Sequence, residues 1–254
     1  MVEKMATGLS LRDFMYQYSF MDALLAGVYD GNLFLRELKN WGDFGIGTLN
    51  GLEGELIIYE GKVFKTQENG AIKDFAENDL TPFAIVKYFN RSDSFFVSID
   101  SMDYHTLKTE IDKRVIKNKM YAVCLRGTFS MIHARSVTLA RRPYLEMAAH
   151  ISNGGQKEYW YTNIEAICVG FLLPQHIGSI NVPGYHLHFI SEDLQVGGHV
   201  FDFRADKLEV SLDSVKGYII ELNTHPDFYR TDFSKDRKSD MTEVEARSKK
   251  IRNE

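Results

Sequence analysis

Short apolar runs broken by glycine constrain the fold of this chain more than any other feature. From Gly42 to Gly70 the text GDFGIGTLNGLEGELIIYEGKVFKTQENG contains Gly45–Leu49, Gly54–Tyr59 and Lys62–Thr66, with turns such as Glu60-Gly61 between them. Runs this short, bounded by glycine, read as a β-meander. Pro82–Phe89 and Phe95–Ile99 are expected to extend the same sheet. Further on, Met120–Arg126 and Gly127–Arg135 read as two strands joined through Gly127. Ile164–Leu173, Tyr185–Ile190, His199–Phe203, Leu208–Leu212 and Gly217–Leu222 follow as strands. Helical spacing predicts one helix over Leu11–Gly27 (Phe14, Tyr18, Met21, Leu25), a short one over Asn32–Trp41, and another over Tyr104–Lys117.

The expected class is therefore α+β, with two sheet-rich halves, a mixed N-terminal sheet and a mainly antiparallel C-terminal one, and flanking helices. The polar stretch Ser152–Tyr159 is the expected seam. It separates residues 1–155, which carry the glycine-rich meander, from residues 156–254, which end in a tail with 14 charges from Arg230 to Glu254.

At 254 residues, with 44% hydrophobic and 26% charged residues, the composition is that of a soluble globular protein. A formal net charge of -5 gives no general reason to expect nucleic acid or an anionic membrane as partner. Cys124 and Cys168 sit in apolar, strand-like runs outside any CxxC pair, so both are expected to be buried thiols. Met1–Phe20 lacks the charged start and apolar stretch of a signal peptide. The most apolar region, Ala166–Ile190, is interrupted by Pro174, Gly178, Pro183 and Gly184, which argues against a membrane span. A cytoplasmic protein is the resulting expectation.

The sharpest chemical signal is Gly184-Tyr-His-Leu-His-Phe-Ile190 followed by Gly197-Gly-His-Val-Phe-Asp202. Alternate side chains of a strand share a face, so His186 and His188 point together and Tyr185, Leu187 and Phe189 point away. Ser191–Gly198 has the character of a hairpin loop, which makes His199 the opening of an antiparallel return strand. Three imidazoles then converge, and three protein ligands with a free position typify catalytic zinc. The competing interpretation is two partly buried histidines and an unrelated third.

Other candidates are less distinct. Glu55 opens the very apolar run Glu-Leu-Ile-Ile-Tyr, either at an exposed sheet end or aimed into a polar site. Arg135 ends a strand, where a guanidinium is either solvated or set to grip a carboxylate. Arg126, Arg141 and Arg142 compete for that role. The glycines of Gly42–Gly54 precede neither a Walker lysine nor a helix start, so they are read as close-packing positions rather than a phosphate loop. His105, His133, His150, His176 and His225 show no ligand-like grouping.

With these residues assembled, the sequence resembles the α-acetolactate decarboxylases. The matching strings, in the family's order, are Gly27-Val-Tyr-Asp-Gly31, Gly42-Asp-Phe-Gly-Ile-Gly-Thr48, Gly54-Glu-Leu-Ile57, Val169-Gly-Phe-Leu172 and the two histidine strings above. The resemblance implies zinc-dependent conversion of (S)-2-acetolactate to (R)-acetoin and carbon dioxide, through an enediolate chelated by zinc and protonated on one face. It places the zinc ligands on His186, His188 and His199, and the active-site glutamate on Glu55. The active-site arginine falls on Arg135, within Arg-Ser-Val where the family reads Arg-Thr-Val. A C-terminal glutamate that reaches the metal matches Glu245 best, with Glu243 as the competing assignment. The basic tail Arg247–Arg252 is longer than the family's. A largely β, two-domain homodimer is also implied. The rival classes are another enzyme with strand histidines, such as a cupin-type isomerase or dioxygenase, and a metal-binding protein without catalysis.

Overall fold

The computed structural model describes residues 8–245. In chain order the elements begin with β1 (Phe14–Tyr18), α1 (Met21–Leu25), β2 (Leu33–Phe34), β3 (Phe44–Thr48), β4 (Glu55–Tyr59), β5 (Lys62–Thr66) and β6 (Ile72–Lys73). They continue with β7 (Leu80–Thr81), β8 (Phe83–Lys87), β9 (Ser94–Asp103), α2 (Tyr104–Asp112), β10 (Met120–Val137), α3 (Met147–Ser152) and β11 (Gln156–Leu173). The chain closes with β12 (Gly184–Ser191), β13 (Gly197–Val215), β14 (Gly217–Glu221), α4 (Pro226–Arg230) and α5 (Lys238–Glu245).

One sheet has seven strands in the order β14-β1-β8-β3-β4-β5-β6. It is mixed, because β1 runs parallel to β14 while its partner β8 and the meander β3-β4-β5-β6 pair antiparallel. The other sheet has the order β10-β11-β12-β13-β9, with β10 also paired to β13, so four of its strands form a closed circuit. All its pairings are antiparallel. The α+β class and the mixed and antiparallel sheets are therefore as the sequence predicts. Each sheet draws strands from both sides of residue 155, since β9 and β10 join the second sheet and β14 joins the first.

The period-two pattern determines how the sheets stack. Met15, Phe44, Ile46, Ile57 and Ile85 of the first sheet pack against Ala122, Ile167, Val169, Phe171 and Ile190 of the second. Intervening residues of the first sheet, Tyr16, Tyr18, Leu56, Ile58, Ala84 and Val86, fill a separate core on its far side. On the second sheet, Val123, Leu125, Phe129, Leu187, Phe189 and Phe203 face its own interior. Fully burying a side chain of this size is worth about 1.5–3 kcal/mol, so a one-residue slip of any central strand would forfeit several such contributions at once.

Several expectations need correction. Leu11–Gly27 is not one helix: Phe14–Tyr18 is a strand, Ser19 takes a left-handed φ of 64°, and only Met21–Leu25 is helical. The spacing of Phe14 and Tyr18 fits either period, and the alternation of Met15 against Tyr16 and Tyr18 between two cores decides for the strand. Asn32–Trp41 contains β2 and a 3-10 turn, Leu35–Asn40, rather than an α-helix. Phe95–Ile99 lies in β9, which pairs with β13 in the second sheet and not with the meander. Gly127 is no turn; β10 continues through it for 18 residues, with register shifts around Phe129. Bulges of this kind re-aim a strand without ending it. Likewise His199–Phe203 and Leu208–Leu212 belong to one strand, β13. In the expected seam only residues 153–155 are loop, because β11 starts at Gln156.

The tail is ordered as α5, with Met241 and Val244 buried, while Arg247–Arg252 lies outside the described residues. Both cysteines are buried thiols. Among the described residues no helix is long and apolar enough to cross a membrane.

Candidate active site

Strand register brings the three histidines together. On β12, His186 and His188 turn away from Leu187 and Phe189, which are packed inside the second sheet. The β12–β13 hairpin pairs His188 directly with His199. Its turn is held by the Ser191 hydroxyl, which accepts from Val196 N–H at 3.1 Å and donates to Asp193 at 2.6 Å. One candidate ligand atom from each histidine lies within 4.8 Å of the others. Close approach of β11 to β12 is possible because Gly170 has no side chain; a Cβ there would stand 2.0 Å from the His186 carbonyl oxygen.

The chemistry of the donor set fits a divalent metal. All three rings are buried. Burial lowers His186 to about 3, helped by the Arg135 charge, and holds His188 and His199 well below the ordinary imidazole range. They are therefore neutral, as ligands must be. His188 Nδ1 lies 3.0 Å from the Leu56 carbonyl, so that nitrogen donates and Nε2 is left as the atom that could bind a metal. Among the described residues His186 Nδ1 is buried without a hydrogen-bond partner. A buried polar atom in that state is one that a bound metal or water would satisfy.

Glu55 is placed by the turn before it. Gly54 has φ 87°, and a Cβ there would lie 1.7 Å from the Thr66 carbonyl oxygen. Only glycine lets β4 enter the sheet at this angle. Glu55 N–H then donates to the Thr66 hydroxyl at 2.9 Å, and its carboxylate turns to the histidines, with Oε2 3.7 Å from His188 Nε2. Burial pushes the Glu55 carboxyl up to about 7, against the pull of the Arg135 cation and the Val137 N–H. The exposed-end alternative for Glu55 is thereby excluded, since it is 5% exposed.

Arg135 lies opposite His199 in the β10–β13 ladder and is 3% exposed. Its Nη1 donates to Gln156 Oε1 at 3.0 Å and to the Val244 carbonyl at 2.8 Å. Its Nη2 is 3.7 Å from Glu245 Oε1, and its guanidinium stands 5.2 Å from the centre of the Phe201 ring. The rival cations are elsewhere: Arg126 pairs with Glu192, Arg142 with Asp30 and Asp227, and Arg141 is exposed.

Glu245 comes from α5, whose buried Met241 and Val244 pack beside α1 and α3 residues such as Met21, Leu24 and Met147. Its Oε2 lies 3.4 Å from His199 Nε2, while Glu243 is exposed. Burial raises the Glu245 carboxyl, opposed by Arg135. The three histidines, Glu55, Arg135 and Glu245 thus line one cavity, walled on its apolar side by Met21, Leu24, Leu52, Phe83 and Met147.

Sequence reasoning did not identify the apolar wall or the groups behind Arg135. Gln156 falls in the polar seam and His133 shows no ligand-like grouping in the sequence, yet His133 is 2% exposed and 2.8 Å from Glu158. The visible signal was alternation: His133 and Arg135 share a face of β10, as Gln156 and Glu158 share a face of β11.

Residues 15–235 match the family model described as Alpha-acetolactate decarboxylase. The chain is 38% identical over 234 residues to the alpha-acetolactate decarboxylase of Methanosarcina mazei, covering 92% of this chain and 80% of that protein. It is 36% identical over 225 residues to the enzyme of the same name from Bacillus licheniformis, covering 88% and 87%. Its fold is similar to the crystal structure of alpha-acetolactate decarboxylase from Bacillus subtilis strain 168, with a TM-score of 0.88 and 32% identity over 92% of this chain and 100% of that one. With its histidines, Glu55 and Arg135 assembled around one cavity, the chain belongs to the alpha-acetolactate decarboxylase family.

Proposed function

We propose that this decarboxylase converts (S)-2-acetolactate to (R)-acetoin and carbon dioxide, using zinc held by His186, His188 and His199. The observation that carries this reading is the convergence of three buried, neutral imidazoles with Glu55, Arg135 and Glu245 on one cavity. A homodimer is the assembly that the resemblance implies, and a cytoplasmic setting is the reading that the sequence supports by default.

The substrate is a β-keto acid with a hydroxyl on the carbon that bears the carboxylate. When carbon dioxide leaves, the electron pair of the broken bond passes into the neighbouring carbonyl as an enediolate. One proton delivered to the carbon that bore the carboxylate then re-forms the ketone and completes acetoin. His186, His188 and His199 would hold a divalent ion, which would supply Lewis acidity that stabilises the growing negative charge.

The chain's own groups do the rest. Arg135, fixed at Nη1, presents its remaining donors to the substrate's negative charge. Glu55, sunk beside His188, holds a proton at a carboxyl oxygen on one side of the cavity, which favours delivery to one face of the enediolate. Glu245, the better-placed of the two tail glutamates, brings a second carboxylate to the cavity beside His199. The apolar wall keeps bulk water from supplying a proton at random.

The test is to incubate zinc-loaded protein with racemic acetolactate in an oxygen-monitored cell. Acetoin and carbon dioxide in equal amounts, with no oxygen uptake, support the reading. Oxygen consumption without acetoin points to an oxygenase, and bound zinc without turnover points to a binding protein.

A further inference from the structure

Arg135 is tied on one side only. Among the described residues Nη1 has two acceptors, Gln156 Oε1 at 3.0 Å and the Val244 carbonyl at 2.8 Å, whereas Nε is buried without a partner and Nη2 has only Glu245 at 3.7 Å. The guanidinium is a rigid plane, so fixing Nη1 decides where the Nε–Nη2 edge points. That edge is the pair of parallel donors that matches a carboxylate.

Gln156 serves this purpose only in one of its two amide orientations. Its Nε2 donates to Glu158 Oε1 at 3.2 Å, and Glu158 Oε2 lies 2.8 Å from His133 Nε2. His133 is itself clamped, stacked on Trp160 with ring centres 4.4 Å apart and planes 9° from parallel. An ionised carboxylate only accepts hydrogen bonds, so Glu158 takes the amide N–H and turns the Gln156 oxygen toward Arg135. The reversed amide would set donor against donor. The strands enforce the chain of contacts: Arg135 lies opposite Glu158 and His133 opposite Trp160, and both hydrogen bonds from β10 lean to the residue two positions back along β11.

We propose that Gln156 is a positioning residue for Arg135, and that Glu158, held by His133, fixes the orientation of its amide. The proposal rests on the reading in which Arg135 engages the substrate's charge, and it adds a device, distant from the reacting atoms, that sets the guanidinium's pose.

Three variants test it: Gln156→Leu, Glu158→Gln and the exchange Gln156→Glu with Glu158→Gln. Gln156→Leu removes the acceptor, and Glu158→Gln lets the neighbouring amide reverse. Each should lower kcat/KM about tenfold, chiefly through KM, with zinc content and unfolding midpoint near wild type. In the exchange, the introduced carboxylate accepts from both Arg135 and the introduced amide, so kcat/KM should return to within about twofold of wild type. A Gln156→Leu enzyme with unchanged KM overturns the proposal, as does an exchange no better than the single variants. A wild-type protein without turnover on acetolactate overturns the decarboxylase reading itself, so the two failures are distinguishable.

Discussion

His188 and His199 stand directly opposite each other across β12 and β13, and Arg135 stands opposite His199 on the other side, in β10. Three adjacent strands thus present a row of two imidazoles and a guanidinium, with His186 two residues along from His188. A row built on hydrogen-bonded register is stiff, which suits a group of side chains that could hold a metal ion.

Replacing any one of the three histidines by alanine leaves two ligands, so metal content and turnover should both fall steeply. Metal analysis of the dialysed variants checks this. A His199→Ala protein with full zinc and full turnover would show that the ion sits elsewhere.

Glu55→Gln keeps the shape of the side chain and the hydrogen bond from its backbone to Thr66, but removes its acid–base function. Turnover should drop about a hundredfold or more while zinc stays bound and the protein remains folded. Steady-state kinetics alongside metal analysis gives the answer, and an unchanged kcat would remove Glu55 from the chemistry.

Arg135→Lys retains a positive charge but loses the planar fork and the second acceptor bond at Nη1. The expected result is a KM raised about tenfold with a smaller fall in kcat. A fall in kcat alone would move Arg135 from binding the substrate to stabilising only the transition state.

For the tail, the prediction separates Glu245 from Glu243. A chain ending at Asp240 and the variant Glu245→Gln should both lose turnover, whereas Glu243→Gln, altered at an exposed position, should stay near wild type. Zinc should largely remain in all three. The helix is also anchored by Arg237, which is 4% exposed and donates to Glu146 at 3.0 Å and Asp240 at 3.2 Å. Full turnover in the truncated chain would make the tail a bystander.

Much of the site was legible because strands encode faces two residues at a time. His186 and His188 alternate with apolar neighbours, and the glycines before His199 mark the hairpin that brings it back. Glu55 and Arg135 were visible as residue types, but their burial was not, because it depends on which sheet covers them. That pairing is long-range: β9 leaves the meander for β13, and β1 finds β14 from the opposite end of the chain. Local spacing also failed where two periods coincide, as at Phe14 and Tyr18, and where a glycine sits inside a bulged strand, as at Gly127. The Gln156–Glu158–His133 chain was hidden for a related reason, since its members meet only through the register of β10 and β11.

One metal ion on His186, His188 and His199 should sustain decarboxylation. The most direct measurement is a zinc titration of chelator-stripped protein, following acetoin from racemic acetolactate and its handedness. Turnover should rise in proportion to zinc, level off at one equivalent per chain, and give (R)-acetoin throughout. Full turnover in the stripped protein, or a plateau unchanged by His199→Ala, would contradict it.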